Sequence, residues 1–232
     1  MSPAAGRTLA AVRKALVAQH GACKPPGPKD PFAQILWVQV GYMAGDAQRA
    51  AAFRRLKQEV GVTPRAILDA DVATLESICR VGGGIAVAQR AGRMQTSAQR
   101  ALDDWGGSLK KVLKLPLDEA VRALAKFPMI GKPGAESILL HAGAHPVLGL
   151  DSNGLRVLLR LGYGRKDERY DKAYAGVRAA VADELRDDAA WVAGLAEGLR
   201  RHGQTVCRNA RPRCGECRLA TLCTDRSRFT DG

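Results

Sequence analysis

Alternating runs of β-branched residues are scarce in this chain, so no strand-built core is expected. Alanine and leucine are frequent instead, and both favour helix. No stretch of 18 uncharged apolar residues occurs, which argues against a membrane-spanning helix. Aromatic residues fill only 5% of 232 positions, so an aromatic-lined pocket has few side chains to draw on. There is no internal repeat and no low-complexity tract. Acidic residues are in deficit, 23 against 36 Lys and Arg, which leaves a formal net charge of +13. Such an excess points to a polyanionic partner, nucleic acid being the commonest. A basic protein without that partner has the same composition.

What is present reads as helix nearly throughout. The apolar spacing predicts helices over 6–19, 31–43, 47–60, 64–68, 71–80, 85–104, 117–126, 134–143, 152–161, 170–185 and 188–202. Breakers separate them: KPPGPKDP at 24–31, GVTP at 61–64, VGGG at 81–84, FPMIGKPG at 127–134 and GAHPVLGLD at 143–151. Thr63 is placed to cap a helix that Pro64 starts. Asp71 and Asp118 are placed to open the helices that follow. The opening segment, interrupted by Arg13, Lys14 and His20, reads as an amphipathic helix rather than a signal peptide. Two lobes are expected. One spans 31–143 and includes the turn at 127–134. The other combines 1–30 with 144–232, and a substrate would fit between them.

Four of the six cysteines crowd the last quarter: Cys207, Cys214, Cys217 and Cys223, in the run C-RNARPR-C-GE-C-RLATL-C. Four thiolates this close can wrap one metal centre, either a structural zinc or a [4Fe-4S] cluster. A zinc ribbon presents two close cysteine knuckles. Only Cys214 and Cys217 form one, and the wide outer gaps suit a cluster better. Cys23 and Cys79 have no evident pairing, and a reducing compartment suits them and cluster thiolates alike.

The segment LDEAVRALAKFPMIGKPGAESILLHAG at 117–143 reads as helix, short turn, helix. Ile130 is placed to plug the core, and Gly131 permits the tight turn. Lys132 and Pro133 open the second helix, where proline's missing N–H needs no partner. The N–H groups at such a start can bind a phosphate oxygen, but an ordinary helical hairpin reads the same way. Asp151 precedes the helix beginning at Ser152, where capping is the plain interpretation.

With these three segments in view, the chain resembles the endonuclease III branch of the helix-hairpin-helix DNA glycosylases over roughly 31–225. HGQTVCRNARPRCGECRLATLC at 202–223 is similar to that family's iron-sulfur loop gap by gap. FPMIGKPGAESIL resembles its hairpin, usually L-P-G-V-G-R-K-T-A. LGLDSNGLRVLLRLG at 148–162 resembles its V-D-T-H-x-x-R-V-x-x-R-L segment. The resemblance implies an all-α, two-lobed fold with a C-terminal iron-sulfur loop, and a damaged nucleotide flipped between the lobes. It implies a [4Fe-4S] cluster on Cys207, Cys214, Cys217 and Cys223 that folds the loop. It puts Asp151 on the catalytic aspartate. A carboxylate beneath the sugar can stabilise positive charge as the glycosidic bond breaks, or orient water. It also implies backbone contacts from Met129, Gly131, Lys132 and Gly134, and from Arg211 and Arg213, with Arg208 and Arg218 in the same basic patch.

The departures from the family pattern carry as much information. Bifunctional members attack the sugar with a lysine just after the hairpin. Pro133 stands there in this chain and has no nucleophilic amine. Lys132 is one residue early, about 100° round the helix, and is expected to face phosphate. Met129 stands at the first hairpin glycine. Met43 stands at a glutamine that fills the hole left in the duplex, with Gln39 one turn earlier as a displaced candidate. Gly83 stands at a leucine wedge, yet glycine cannot intercalate as an apolar side chain would, so a neighbouring loop would have to act. Trp37, Tyr42 and Tyr163 are candidates to line a base pocket.

The resulting expectation is a base-excision-repair DNA N-glycosylase, monofunctional, with AP lyase activity weak or absent. It would act as a cytoplasmic, nucleoid-associated monomer on double-stranded DNA bearing a base lesion or an abasic site, with no membrane role. Three alternatives stay open: a divergent damaged-DNA-binding protein with little catalysis, a glycosylase with residual AP lyase activity through Lys132, and a zinc-stabilised helical module. The last would be colourless, lacking cluster absorption at about 400 nm.

Overall fold

The computed structural model describes residues 7–225. The first residue of the expected 6–19 helix, and 1–6 and 226–232 of the expected second lobe, lie outside the described residues. Within them there is no strand. Eleven α-helices follow in order: α1 (Leu9–His20), α2 (Pro31–Val40), α3 (Asp46–Glu59), α4 (Pro64–Asp69), α5 (Val72–Val81), α6 (Val87–Trp105), α7 (Leu117–Leu124), α8 (Lys132–His141), α9 (Ser152–Arg160), α10 (Tyr170–Val181) and α11 (Ala189–Thr205). None is long and apolar enough to cross a membrane.

Local chemistry explains the helix starts. Thr8, Asp30, Thr63, Asp71, Asp151 and Asp188 each accept a backbone N–H three residues on. Each such cap contributes about 1 kcal/mol. Pro31 and Pro64 occupy the first helical turn, where proline is pre-organised. The expectation for Asp118 needs correction. Pro116 holds the cap position without a side-chain hydrogen bond, and Asp118 and Glu119 lie in the first turn of α7, complementing the helix dipole. A 3-10 helix at Leu109–Lys114 lies outside the expected helices. The Gly106-Gly107 pair before it and Pro116 after it confine the helical segment to a short stretch. The tighter winding puts Leu109 and Val112 on one face, and both are buried.

The chain divides into two compact units, one of Met1–Pro25 with Pro146–Gly232, the other Pro26–His145. In the second unit, α2 packs on α3, α6 and α8, α4 and α5 pack on α6, and α7 packs on α8. Its core includes Ile35, Leu36, Leu56, Ile78, Met94 and Leu139. In the first unit, α11 packs on α1 and α9, and α10 packs on α9, around Leu9, Leu16, Leu158, Val177 and Leu199. Each fully buried Leu or Ile contributes about 1.5–3 kcal/mol.

One polar group organises the second unit. Arg90 of α6 is fully buried, and its guanidinium donates to four carbonyls. Nη1 reaches Val40 O at 2.9 Å and Gly82 O at 3.2 Å, and Nη2 reaches Cys79 O at 2.6 Å and also Gly83 O. These carbonyls sit at the C-terminal ends of α2 and α5, where helices leave acceptors unpaired and negative potential accumulates. A Cβ on Gly82 would lie 1.8 Å from Val40 O, so only glycine lets these helix ends meet. Replacing Arg90 with Met strands four acceptors. The expected cost is about 3–5 kcal/mol, read in a urea titration. A loss under about 1 kcal/mol would mean that water satisfies the carbonyls.

Candidate functional site

The turn between α7 and α8 is a tight hairpin. Phe127 N–H bonds to Leu124 O at 3.0 Å and Ile130 N–H to Phe127 O at 3.1 Å. Phe127 and Ile130 are buried, and Ile130 plugs the core as its position predicted. Met129 sits at φ 67°, the left-handed region that costs a non-glycine residue about 1–2 kcal/mol. The backbone thus keeps the shape glycine would take freely, with methionine at the position. Gly131 is the extended N-cap of α8, and the first helical acceptor, Gly131 O, takes the Ala135 N–H at 2.9 Å. Lys132 and Gly134 therefore present N–H groups at the start of the helix, Pro133 has none, and the Lys132 side chain is exposed. The strain predicts a rank order. Met129→Gly should match or exceed the native melting temperature, and Met129→Val should lie lowest, because a β-branched residue tolerates positive φ worst.

The structure corrects the role of Gln39. It is fully buried. Its Nε2 donates to Pro128 O at 3.0 Å and Ser97 Oγ at 2.7 Å. It ties the hairpin to α2 and α6 and is not positioned to fill a gap in a duplex. Met43, by contrast, is 75% exposed at φ 54°. A Cβ on Gly83, itself at φ +107°, would lie 3.8 Å from Tyr42 O and Ala44 Cβ, so the 41–45 and 82–86 loops adjoin. Ile85, two residues beyond Gly83, is 53% exposed, and Tyr42 is exposed as well. Trp37 is half-buried and packs edge-on against Phe53. Tyr163 is core.

In the other unit, Asp151 is exposed at the start of α9. Oδ1 accepts Gly154 N–H at 2.8 Å, and Oδ2 accepts from Asn153 Nδ2 at 3.0 Å. Each carboxylate oxygen keeps an acceptor site beyond the cap. Nothing in the sequence marks Tyr170 as a neighbour of this segment. Its hydroxyl donates to Leu150 O at 3.4 Å, its ring stacks on Tyr174, and it is 44% exposed. Burial, and then the charge of Asp151, push its phenol above the usual tyrosine range.

α9 also anchors the cysteine loop. Arg156 Nε donates to Cys207 O at 3.0 Å, and Nη2 to Gly203 O at 2.7 Å. One turn on, Arg160 Nη1 donates to Arg208 O at 2.7 Å and lies 3.3 Å from Cys207 Sγ, while Nη2 donates to Asn209 O at 3.1 Å. The helix that presents Asp151 thus grips the loop with two arginines. Arg208, Arg211, Arg213 and Arg218 are exposed. Arg211 holds φ 54°, and Arg213 lies 3.8 Å from Glu216.

Cys207, Cys214, Cys217 and Cys223 line one cavity of about 30 Å³ together with Arg160, Val206, Pro212, Arg213 and Ala220. Among the described residues, no three His, Cys, Asp or Glu converge tightly enough to hold a single metal ion. A tetrahedral zinc would need four sulfurs at about 2.3 Å from one point. Burial pushes the Cys217 thiol up to about 11 and raises Cys223, and the neighbouring sulfurs raise both further. Four cysteines lining one cavity are a donor set that suits a polynuclear metal core. Cys79 is buried in the other unit, its thiol raised to about 11 by burial. His202 is buried beside Cys217, and burial lowers its imidazole to about 4.

No protein-family model matches the chain. It is 28% identical over 176 residues to the chloroplastic endonuclease III homolog 2 of Arabidopsis thaliana, covering 75% of this chain and 42% of that one. It is 28% identical over 206 residues to homolog 1 of the same plant, covering 88% and 51%. The chain spans about half the length of these curated relatives, or less. Among solved structures, a trapped endonuclease III–DNA covalent intermediate superposes with a TM-score of 0.73 at 21% identity, covering 96% of this chain and 98% of that one. A thermostable thymine-DNA glycosylase superposes with a TM-score of 0.75 at 16% identity, covering 95% of each.

Proposed function

Because the chain belongs, by its sequence relatives and its fold, to the helix-hairpin-helix DNA glycosylase superfamily on the endonuclease III-like side, we propose that it is a monofunctional base-excision-repair DNA N-glycosylase. The observation that carries this reading is the Asp151 carboxylate, exposed at a helix start with acceptor sites left over from its cap. On this reading the carboxylate stabilises the positive charge that develops on the sugar and orients the attacking water. Tyr170 offers an aromatic face beside it. Lys132 and the hairpin N–H groups of Gly131, Lys132 and Gly134 hold phosphate, as do Arg211 and Arg213. The turn at Met129 sets the hairpin's shape. Pro133 supplies no amine, so water is the nucleophile and AP lyase activity is weak or absent. Gly83 cannot intercalate. Met43 and Ile85, exposed on adjoining loops, take the task of filling the duplex when a nucleotide leaves the stack.

The four cysteines are assigned to a [4Fe-4S] cluster, supported by their spacing and shared cavity. When bound, the cluster cross-links the loop. Arg156 and Arg160 then join that loop to the helix bearing Asp151.

The test is a panel of lesion duplexes, each reaction split before the gel, one half treated with alkali. Strand breaks only after alkali are expected. Breaks without alkali that disappear in Lys132→Ala would replace the monofunctional reading with a lyase. A second reading, damage binding with little catalysis, is favoured by Gly83 at the wedge position and by the burial of Gln39. It would be indicated by bound DNA with no breaks in either half.

A further inference from the structure

The last turn of α11 carries a histidine that the reading above leaves unused. His202 is 1% exposed. Its Nε2 lies 3.4 Å from Cys217 Sγ, and its Nδ1 lies 3.1 Å from Nε2 of His20, the last residue of α1. The two rings meet edge-on, with centroids 5.3 Å apart. The same end of α1 touches the loop directly, where Gln19 Oε1 accepts the Arg218 N–H at 2.9 Å. We infer that His202, oriented by His20, donates a hydrogen bond to the Cys217 thiolate and tunes the bound cluster, and that the end of α1 clamps the loop around it. This rests on the assignment of the cluster to the four cysteines.

The chemistry fixes the arrangement. A thiolate has no hydrogen to give, so the ring nitrogen facing Cys217 must carry one. A neutral imidazole carries a single N–H, which leaves His202 Nδ1 as a lone pair for the Nε2–H of His20. Both rings are therefore locked in the Nε2–H tautomer, in series from the end of α1 to the sulfur. At another sulfur of the set, Arg160 Nη1 faces Cys207 Sγ at 3.3 Å. Hydrogen bonds to ligand sulfurs draw electron density from the cluster, favour its reduced form and raise its reduction potential.

The experiment compares the iron-loaded native protein with His202→Phe, His202→Gln and His20→Phe. It reads iron content, absorbance at about 400 nm, the cluster's midpoint potential, and the rate of bleaching with a chelator. His202→Phe should shift the potential negative and bleach faster. His202→Gln, whose amide nitrogen can reach the Nε2 position, should restore the potential towards native, and His20→Phe should give a smaller negative shift. An iron-loaded His202→Phe with native potential and native bleaching overturns the inference. If His202→Phe does not load iron, His20→Phe decides alone: a negative shift supports the inference and an unchanged potential overturns it. Native protein without iron or absorbance would remove the cluster assignment itself, and the inference with it.

Discussion

Asp151→Asn is expected to slow base excision by about 10²–10⁴-fold while leaving the fold within about 1 kcal/mol of native. The two effects separate because the cap and the proposed catalytic role ask different things of the side chain. As a cap, asparagine is nearly as good as aspartate, and its carbonyl oxygen can still accept the Gly154 N–H that Oδ1 now takes at 2.8 Å. The stability loss is limited to the helix-dipole term and the weakened Asn153 contact. As a catalytic group, asparagine carries no negative charge to stabilise a cationic sugar and cannot take a proton from water. Single-turnover excision and thermal melting on the same preparation read both quantities. A variant that excises within tenfold of native rate would reduce Asp151 to a cap.

The second large effect concerns the loop. Cys214→Ser is expected to remove most of the iron and the cluster absorption, and to lower the slope of log affinity against log salt by about 2, because Arg211 and Arg213 lose their fixed positions and two phosphate contacts with them. The anchoring arginines explain why the damage should spread. Arg156 and Arg160 hold Cys207, Arg208 and Asn209 by backbone carbonyls, which is a grip on loop conformation rather than on any side chain. Cys79→Ala is the control. Cys79 is buried in the other unit, so its iron content should stay native. Full iron in Cys214→Ser would show that this thiol is not a ligand.

Much of this was legible in the sequence, for identifiable reasons. Capping residues announce helix starts locally, so Thr63 with Pro64, Asp71 and Asp151 could each be placed from three or four letters. The cysteine gaps and the Pro-Met-Ile-Gly turn are likewise short-range patterns. What escaped depends on packing across long separations. Gln39 reads the same whether it faces solvent or a hairpin 89 residues away, and only the neighbours Ser97 and Pro128 decide. Tyr170 meets Leu150, beside Asp151, from 20 residues away, across the whole of α9 and the loop that follows it. Arg156, Arg160 and Arg90 look like surface charge in a basic sequence, yet each is spent on backbone carbonyls. Met129 hid its conformation, because a methionine at positive φ leaves no local signature that a glycine would.

The most direct test incubates the iron-loaded protein with lesion duplexes, identifies free base by mass spectrometry, and treats a parallel sample with borohydride. The account predicts released base, an abasic strand that breaks only with alkali, and no protein–DNA adduct after reduction, because Pro133 offers no amine to form one. A reduced covalent adduct would contradict the hydrolytic mechanism. Tight binding without released base across the panel would contradict the glycosylase assignment and leave damage recognition as the function.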